Sequence, residues 1–353
     1  MALTVRIKKR YGDFLLDVDF SAGGGEVLAL LGASGSGKSS ALQCIAGIRR
    51  PDWGRIALDG EVLFDSERHI DLPPQKRQVG YLFQQYALFP HMTVEQNIAA
   101  ALGRLDRARR WARTEELIAT LRLEGTEKLL PRQLSGGQQQ RAALARILAS
   151  RPRAILLDEP LSALDSSLRR TLERELQEVL ARFGGPAVWV SHDLGEVCRS
   201  CRRVCVLEDG RSSPAVGMRE LIEAPGTAGA ARISGCRNLV RACPGPEPGT
   251  VRVPEWGVVL QASGIWREET SLLGIRAERV RPAEEGAENA FPCRVRRTAE
   301  DVSTVEAALI PEGAAEDAAA LWMEASRSEW AGRAGGERIW VSLPPEDILL
   351  LKE

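Results

Sequence analysis

Residues 26–31 read EVLALL, an apolar run too short for a helix, and the six residues that follow are all Gly, Ala or Ser. Residues 38–47 then take on a helical texture, so the pattern predicts strand, glycine-rich turn, helix. Two further apolar runs, AILL at 154–157 and AVWV at 187–190, end in Asp158-Glu159-Pro160 and Ser191-His192-Asp193. Polar groups at the C-terminal ends of apolar strands are where open α/β sheets place their ligands. Residues 1–20 place Lys8, Lys9 and Arg10 before a short apolar stretch and read as a strand, not as a signal peptide.

Residues 94–150 are rich in Ala, Leu, Arg and Glu, with Pro131 marking a boundary, and predict a helical insertion. After Gly210 the texture changes. Pro-Gly pairs at 225–226, 244–246 and 248–249 interrupt short β-branched stretches such as Val251-Arg252-Val253 and Val258-Val259-Leu260. That predicts a mostly β C-terminal domain from about Gly235. The expected division is an α/β domain at 1–234, with a helical subdomain at about 86–150, and a mostly β domain at 235–353.

Composition narrows this without changing it. The 353 residues are 44% apolar, ordinary for a globular chain with a real core, and the net charge of −1 supplies no field to gather nucleic acid or anionic lipid. No stretch approaches the roughly 18 apolar residues that span a bilayer, so a membrane role is expected to go through a partner. Seven cysteines, an odd number, suit a reducing compartment better than a disulfide framework. Cys198, Cys201 and Cys205 are spaced suggestively but lack a fourth ligand, and read as one helix face followed by a buried strand residue.

The chemistry concentrates in three segments. Gly32-Ala33-Ser34-Gly35-Ser36-Gly37-Lys38-Ser39 matches G-x4-G-K-[ST]. The glycines let successive N–H groups point at phosphate oxygens, Lys38 offsets β/γ charge, and the Ser39 hydroxyl is suited to Mg²⁺. Ser40 continues the set. Asp158 and Glu159 put two carboxylates at a strand mouth, one suited to a metal and the other to a water nucleophile; an acidic strand-end turn is the plain alternative. Ser135-Gly136-Gly137 precedes a helical stretch, Ser135 as N-cap and the Gly-Gly start as an anion-facing turn.

With these segments in this order, LSGGQ at 134–138 and LLDEP at 156–160 included, the chain resembles the nucleotide-binding subunits of ABC transporters over residues 1–210. The resemblance implies an α/β P-loop NTPase of RecA-like ABC type with a helical insertion, followed by a small OB-like β-barrel domain. It implies ATP and Mg²⁺ as cofactors, with Ser39, Gln84 and Asp158 at the metal and Glu159, Gln84 and His192 as catalytic residues. His192 stands in the position of the switch histidine, and Asp165 lies in SALD, which resembles the D-loop. Tyr11 stands near the family's adenine-stacking position, with Phe14 competing and a core aromatic the plain alternative. A head-to-tail homodimer is implied, Ser135 and Gly137 of one subunit capping ATP held by Lys38 of the other.

Text such as YALFPHMTV and the added C-terminal domain resemble importers. SERHIDLPPQKR at 66–77, ARISGCRN at 231–238 and VSLPPEDILL at 341–350 resemble the molybdate importer ATPases, and GIRAE at 274–278 resembles the regulatory β-domains of oxyanion and sugar importers. The implied assembly is a peripheral subunit on the cytoplasmic face of the cell membrane, working with integral permease subunits and a periplasmic or extracellular substrate-binding protein. No nucleic acid is expected, and an oxyanion is a ligand to test in the C-terminal domain. Sulfate, tungstate or another solute, a soluble non-transport ABC ATPase, and a nucleotide sensor without turnover stay open as alternatives.

Overall fold

The structure, a computed structural model, describes residues 1–103, 105–162, 166–315, 318–331 and 338–352, and divides into two compact units, Met1–Met218 and Arg219–Glu353.

In the first unit β1 (Ala2–Tyr11) and β2 (Phe14–Gly23) are followed by β3 (Val27–Leu31), α1 (Lys38–Ala46), β4 (Trp53–Leu58), β5 (Glu61–Asp65), β6 (Ile70–Asp71), the one-turn α2 (Pro74–Arg77) and β7 (Val79–Leu82). The insertion carries α3 (Val94–Ala100), α4 (Arg107–Thr120) and α5 (Gly136–Ala149). The chain then runs through β8 (Ala154–Asp158), α6 (Ser166–Phe183), β9 (Ala187–Ser191), α7 (Leu194–Ser200), β10 (Arg203–Glu208), β11 (Arg211–Ser212) and β12 (Val216–Gly217). One 12-stranded sheet orders the strands β6-β5-β4-β1-β2-β11-β10-β3-β9-β8-β7, with β12 paired to β10.

Two halves of that sheet follow different rules. The stretch β10-β3-β9-β8-β7 is parallel, and β8 and β9 are buried at every position, as expected of parallel strands covered on both faces. The stretch from β6 to β2 is antiparallel and alternates: Leu3, Val5 and Ile7 face the core, while Arg6 and Lys8 face outward to meet Asp19 and Asp17 across the hairpin. Residues 1–20, expected as one strand, are therefore a correction. They form a hairpin, because Gly12 takes φ +59 and closes the pair Tyr11 to Phe14.

The second unit opens within α8 (Met218–Glu223), continues through α9 (Ala228–Ile233), and is otherwise β: β13 (Asn238–Arg241), β14 (Cys243–Pro244), β15 (Thr250–Val253), β16 (Val258–Gln261), β17 (Leu272–Ile275), β18 (Arg281–Pro282), β19 (Ala290–Glu300), β20 (Thr304–Pro311), β21 (Leu321–Ser326), α10 (Arg327–Ala331), β22 (Arg338–Ser342) and β23 (Leu349–Leu351). A five-stranded antiparallel sheet, β18-β22-β19-β20-β21, and two three-stranded sheets, β13-β17-β23 and β14-β15-β16, enclose one core that includes Val240, Val253, Leu273, Leu309, Met323 and Val341. The result is a small barrel-like β unit.

In the first unit one buried charge ties the phosphate-loop helix to the sheet. The Arg77 side chain is 0% exposed; its Nη1 donates to the Cys44 and Ile45 carbonyls at 2.8 Å, its Nε to the Leu72 carbonyl at 2.7 Å and its Nη2 to Asp71 at 2.8 Å. Cys44 and Ile45 lie in the last turn of α1, whose carbonyls lack helical partners, so a cation there also suits the helix dipole. Replacing Arg77 by Met leaves the Ile45 and Leu72 carbonyls without this donor, while Cys44 keeps only the Gly47 N–H at 3.2 Å and Asp71 only Arg50 at 3.6 Å. The expected cost is about 3 kcal/mol, read as a lower urea midpoint for the first unit's transition at unchanged slope.

Candidate nucleotide site

The loop between β3 and α1 needs glycine where neighbours crowd it. A Cβ on Gly32 would lie 2.3 Å from the Leu207 carbonyl oxygen of β10, and one on Gly37, at φ +101, would meet Leu16 and Phe14. Ala33, Ser34 and Gly35 are exposed at the loop's crest, Ser40 is half-buried on α1, and Ser36 is buried with an unpartnered hydroxyl. Lys38, 5% exposed, arches back so that Nζ donates to the Gly32 and Ala33 carbonyls at 2.8 Å. Burial pushes its pKa down, while Glu159 and Asp158 push it up.

Parallel pairing places four strand ends beside this loop. Leu31 lies opposite Ser191, Asp158 opposite Val190, and Leu82 opposite Leu157. Asp158 therefore ends β8 beside α1, where Ser39 Oγ donates to its Oδ1 at 2.8 Å and the Tyr81 hydroxyl of β7 to its Oδ2 at 2.7 Å. Glu159 follows with φ +47. Its carboxylate is 3.4 Å from Gln84 Nε2, which donates to Oε2, and 3.3 Å from His192 Nδ1 at Oε1. Ser162 approaches the same Gln84 amide at 3.5 Å.

The structure thus brings together Lys38, Ser39, Gln84, Asp158, Glu159 and His192. It does not bring in Ser135 and Gly137. Ser135 caps α5 in a closed box, accepting from Gln138 N at 3.3 Å while its own N–H donates to Gln138 Oε1 at 2.9 Å, and among the described residues no hydrogen bond joins this cap to the phosphate loop. Asp165 lies outside the described residues. The ring of Phe14, not Tyr11, approaches Gly37, whereas Tyr11 sits 6.4 Å from Phe14 with the Arg49 guanidinium 5.6 Å and the Lys9 ammonium 5.9 Å from its own ring. Cys198 and Cys201 do not share a helix face. Cys198 is exposed on α7, while Cys201 ends that helix and is buried, as is Cys205 on β10.

Tyr81 was not anticipated as a site residue. Its signal in the sequence was a phenol within the short apolar strand VGYL, where a buried hydroxyl needs a partner. The donor set suits Mg²⁺ and phosphate. Ser39 and Asp158 supply hard oxygens of the kind that hold Mg²⁺ together with phosphates, and the orphaned Ser36 hydroxyl and buried Lys38 ammonium supply donors for an anion. Among the described residues no cluster of three or more His, Cys, Asp or Glu forms an all-protein cage.

The family model described as ABC transporter matches residues 15–162. The molybdenum import ATP-binding protein ModC of Paramagnetospirillum magneticum is 41% identical over 227 residues, 64% of this chain and 61% of that one. The sulfate/thiosulfate import ATP-binding protein CysA of Xylella fastidiosa is 42% identical over 247 residues, 68% of this chain and 69% of that one. The chain belongs to the ABC transporter family. The spermidine/putrescine import ATP-binding protein PotA of Acidothermus cellulolyticus is 44% identical over 220 residues, covering 62% of this chain and 56% of its own. The chain spans 61% of the length of the ModC relative. Among solved structures, the dimeric ATP-binding cassette MJ0796 in a post-hydrolysis state, bound to ADP and Pi, matches with TM-score 0.52 and 30% identity over 62% of this chain and 99% of its own.

Two of the three tyrosines of this ABC chain are buried, and burial raises the pKa of both. For Tyr81 the hydrogen bond to the negatively charged Asp158 adds to the effect. A raised folded-state pKa means that the protonated phenol contributes stability below the unfolded value of about 10, lost as pH rises above it. In an alkaline titration followed by tyrosinate absorbance, the native protein is expected to withhold the signal of Tyr81 and Tyr86 until it unfolds; full ionisation while folded would contradict the burial described.

Proposed function

We propose that this chain hydrolyses ATP as the energising subunit of an ABC importer. The observation that carries the reading is the meeting of Ser39, Asp158, Glu159, Gln84 and His192 at adjacent strand ends beside the Lys38 loop. The loop N–H groups and Lys38 bind and orient the phosphates. Ser39, Asp158 and Gln84 would hold Mg²⁺, which would supply positive charge against that developing on the β/γ oxygens. Glu159 orients a water and accepts its proton as the water oxygen bonds to the γ-phosphorus; the bond to the β–γ bridging oxygen breaks, and ADP and phosphate result. His192 bonds the γ-phosphate and steadies Glu159 between turnovers.

The wider assembly belongs to the same proposal. A head-to-tail homodimer lets Ser135 and Gly137 cap ATP across the interface, which accounts for their separation from the loop within one chain. The related cassettes solved as dimers support this. Tyr11 is the proposed adenine stacker, with Phe14, whose ring approaches Gly37, as the competing aromatic. Among the described residues no helix is long and apolar enough to cross a membrane, consistent with a peripheral subunit that works on the cytoplasmic face with permease subunits and a substrate-binding protein. The β-rich domain from about Gly235 is the regulatory or dimerisation element.

Molybdate is the proposed cargo, supported by the sequence text at 66–77, 231–238 and 341–350 and by the ModC relative. Sulfate is the second reading, favoured by the CysA relative, which aligns over a larger share of this chain.

Glu159→Gln is expected to lower ATP turnover by about 100-fold or more while retaining ATP binding, measured by phosphate release alongside equilibrium nucleotide binding. Normal turnover in this variant would remove Glu159 from the proposed mechanism. Molybdate or tungstate, and not spermidine, is expected to raise the melting temperature of the full chain, with stabilisation near 2.7 kcal/mol at about 100 times Kd. A rise with sulfate alone would transfer the assignment to sulfate, and no rise with any oxyanion would make the second unit a scaffold.

A further inference from the structure

The loop that carries His192 is held from behind by a carboxylate that the proposed chemistry does not use. Glu196, on the first turn of α7, is 5% exposed, and the indole N–H of the fully buried Trp189 of β9 donates to its Oε1. The Glu196 N–H donates to Asp193 Oδ1 at 3.0 Å, and the Asp193 N–H donates to Ser191 Oγ at 3.0 Å. Closed by the backbone between Trp189 and Ser191, these bonds form a ring running from the end of β9 to the start of α7. His192 is the one residue of Ser191-His192-Asp193 whose side chain leaves that ring, and it reaches Glu159 at 3.3 Å.

Hydrogen counting fixes the direction of each bond. An indole N–H only donates. Glu196 must therefore accept, and the buried Trp189 donor turns toward it inside the protein, where an unmet donor costs more than the bond itself contributes. Glu196 also lines a small cavity of about 50 Å³ shared with Glu159, Ser162 and His192, so the ring forms the back wall of the site.

We propose that Glu196 is a positioning residue for His192, fixing the path of the β9–α7 loop and with it the direction in which the imidazole faces Glu159. The inference rests on the ATPase reading above for its kinetic consequence only. A carboxamide keeps an accepting oxygen for Trp189, whereas an aliphatic side chain leaves the indole donor unmet.

The test compares E196L, E196Q, H192A and the double variant H192A/E196L in the full chain, by steady-state kinetics and by NMR of the histidine imidazoles. The chain has three histidines, so the resonance missing from H192A identifies His192. E196L is expected to shift or broaden that resonance and to lower kcat about tenfold, with KM for ATP within about twofold, because small misplacements of a catalytic group are costly. It adds nothing in the H192A background, and E196Q stays close to wild type in every readout. An unchanged His192 resonance in E196L, or an equal further loss of kcat on top of H192A, would overturn the proposal. Failure of the ATPase reading looks different. The wild type itself would not turn over, and the imidazole resonance alone would then decide whether Glu196 holds the loop. Should E196L not fold, W189F removes the indole donor from the other side and is expected to displace the same resonance.

Discussion

The parallel register of β3, β9, β8 and β7 is the constraint on which the site depends. Side chains alternate along a strand, so a slip of one residue would move Asp158 to the other face of β8 and withdraw its carboxylate from Ser39. What prevents the slip is burial on both faces. Every residue of β8 and β9 is inside, and Leu28, Leu30, Leu156, Val188 and Val190 are all 0% exposed. Side chains fitted against neighbours on both faces leave no space for a shifted set to enter, so a slip would have to break the packing on both sides at once. The ends of these strands are then forced to line up, and polar residues collected there face one another at distances set by the sheet.

The same sheet links the site to the helical insertion. A Cβ on Gly80 of β7 would lie 2.4 Å from Ile147 Cγ2, so α5 rests directly on the strand that leads to Gln84. Ser135 begins that helix and Gly80 lies under its other end. Any tilt of α5 therefore bears on β7, and β7 carries both Tyr81, bonded to Asp158, and the segment that presents Gln84 to Glu159. Close packing transmits such a shift because a well-filled interface has no slack to absorb it.

Much of this was legible in the sequence because it is local. The phosphate loop, the strand-end acids at Asp158 and Glu159 and the Ser135 cap are short segments whose chemistry follows from residue type and spacing. The hairpin of residues 1–20 was missed because its turn is a single Gly12-Asp13 step between two long runs, although a glycine followed by an aspartate is itself a turn signal. Tyr81 and Glu196 were not read as part of the site for a different reason. Each acts through a partner far off in the chain or across a loop, Tyr81 through Asp158 and Glu196 through Trp189, and no periodicity records such a pairing. In the C-terminal unit the β texture could be read from its Pro-Gly punctuation, but not that three separate sheets close on one core, which depends on pairings such as Leu273 with Leu350.

The two neighbouring carboxylates raise a geometric question that the backbone answers. In an extended strand Asp158 and Glu159 would point to opposite faces of the sheet. Glu159 instead adopts φ +47, a left-handed conformation that costs a non-glycine residue about 1 kcal/mol. Its N–H still donates to the Val190 carbonyl at 3.1 Å, so the strand pairing holds up to the turn, and its own carbonyl accepts from Ser162 N at 3.2 Å and Ser162 Oγ at 3.0 Å. The reversed residue is thus held by bonds on both sides. Breaking the alternation at this point lets Asp158 keep Ser39 and Tyr81 while Glu159 turns to Gln84 and His192, so that two adjacent acids serve different partners on one edge of the sheet. The strain at Glu159 is the local cost of that division, and the buried strands on either side supply the rigidity that sustains it.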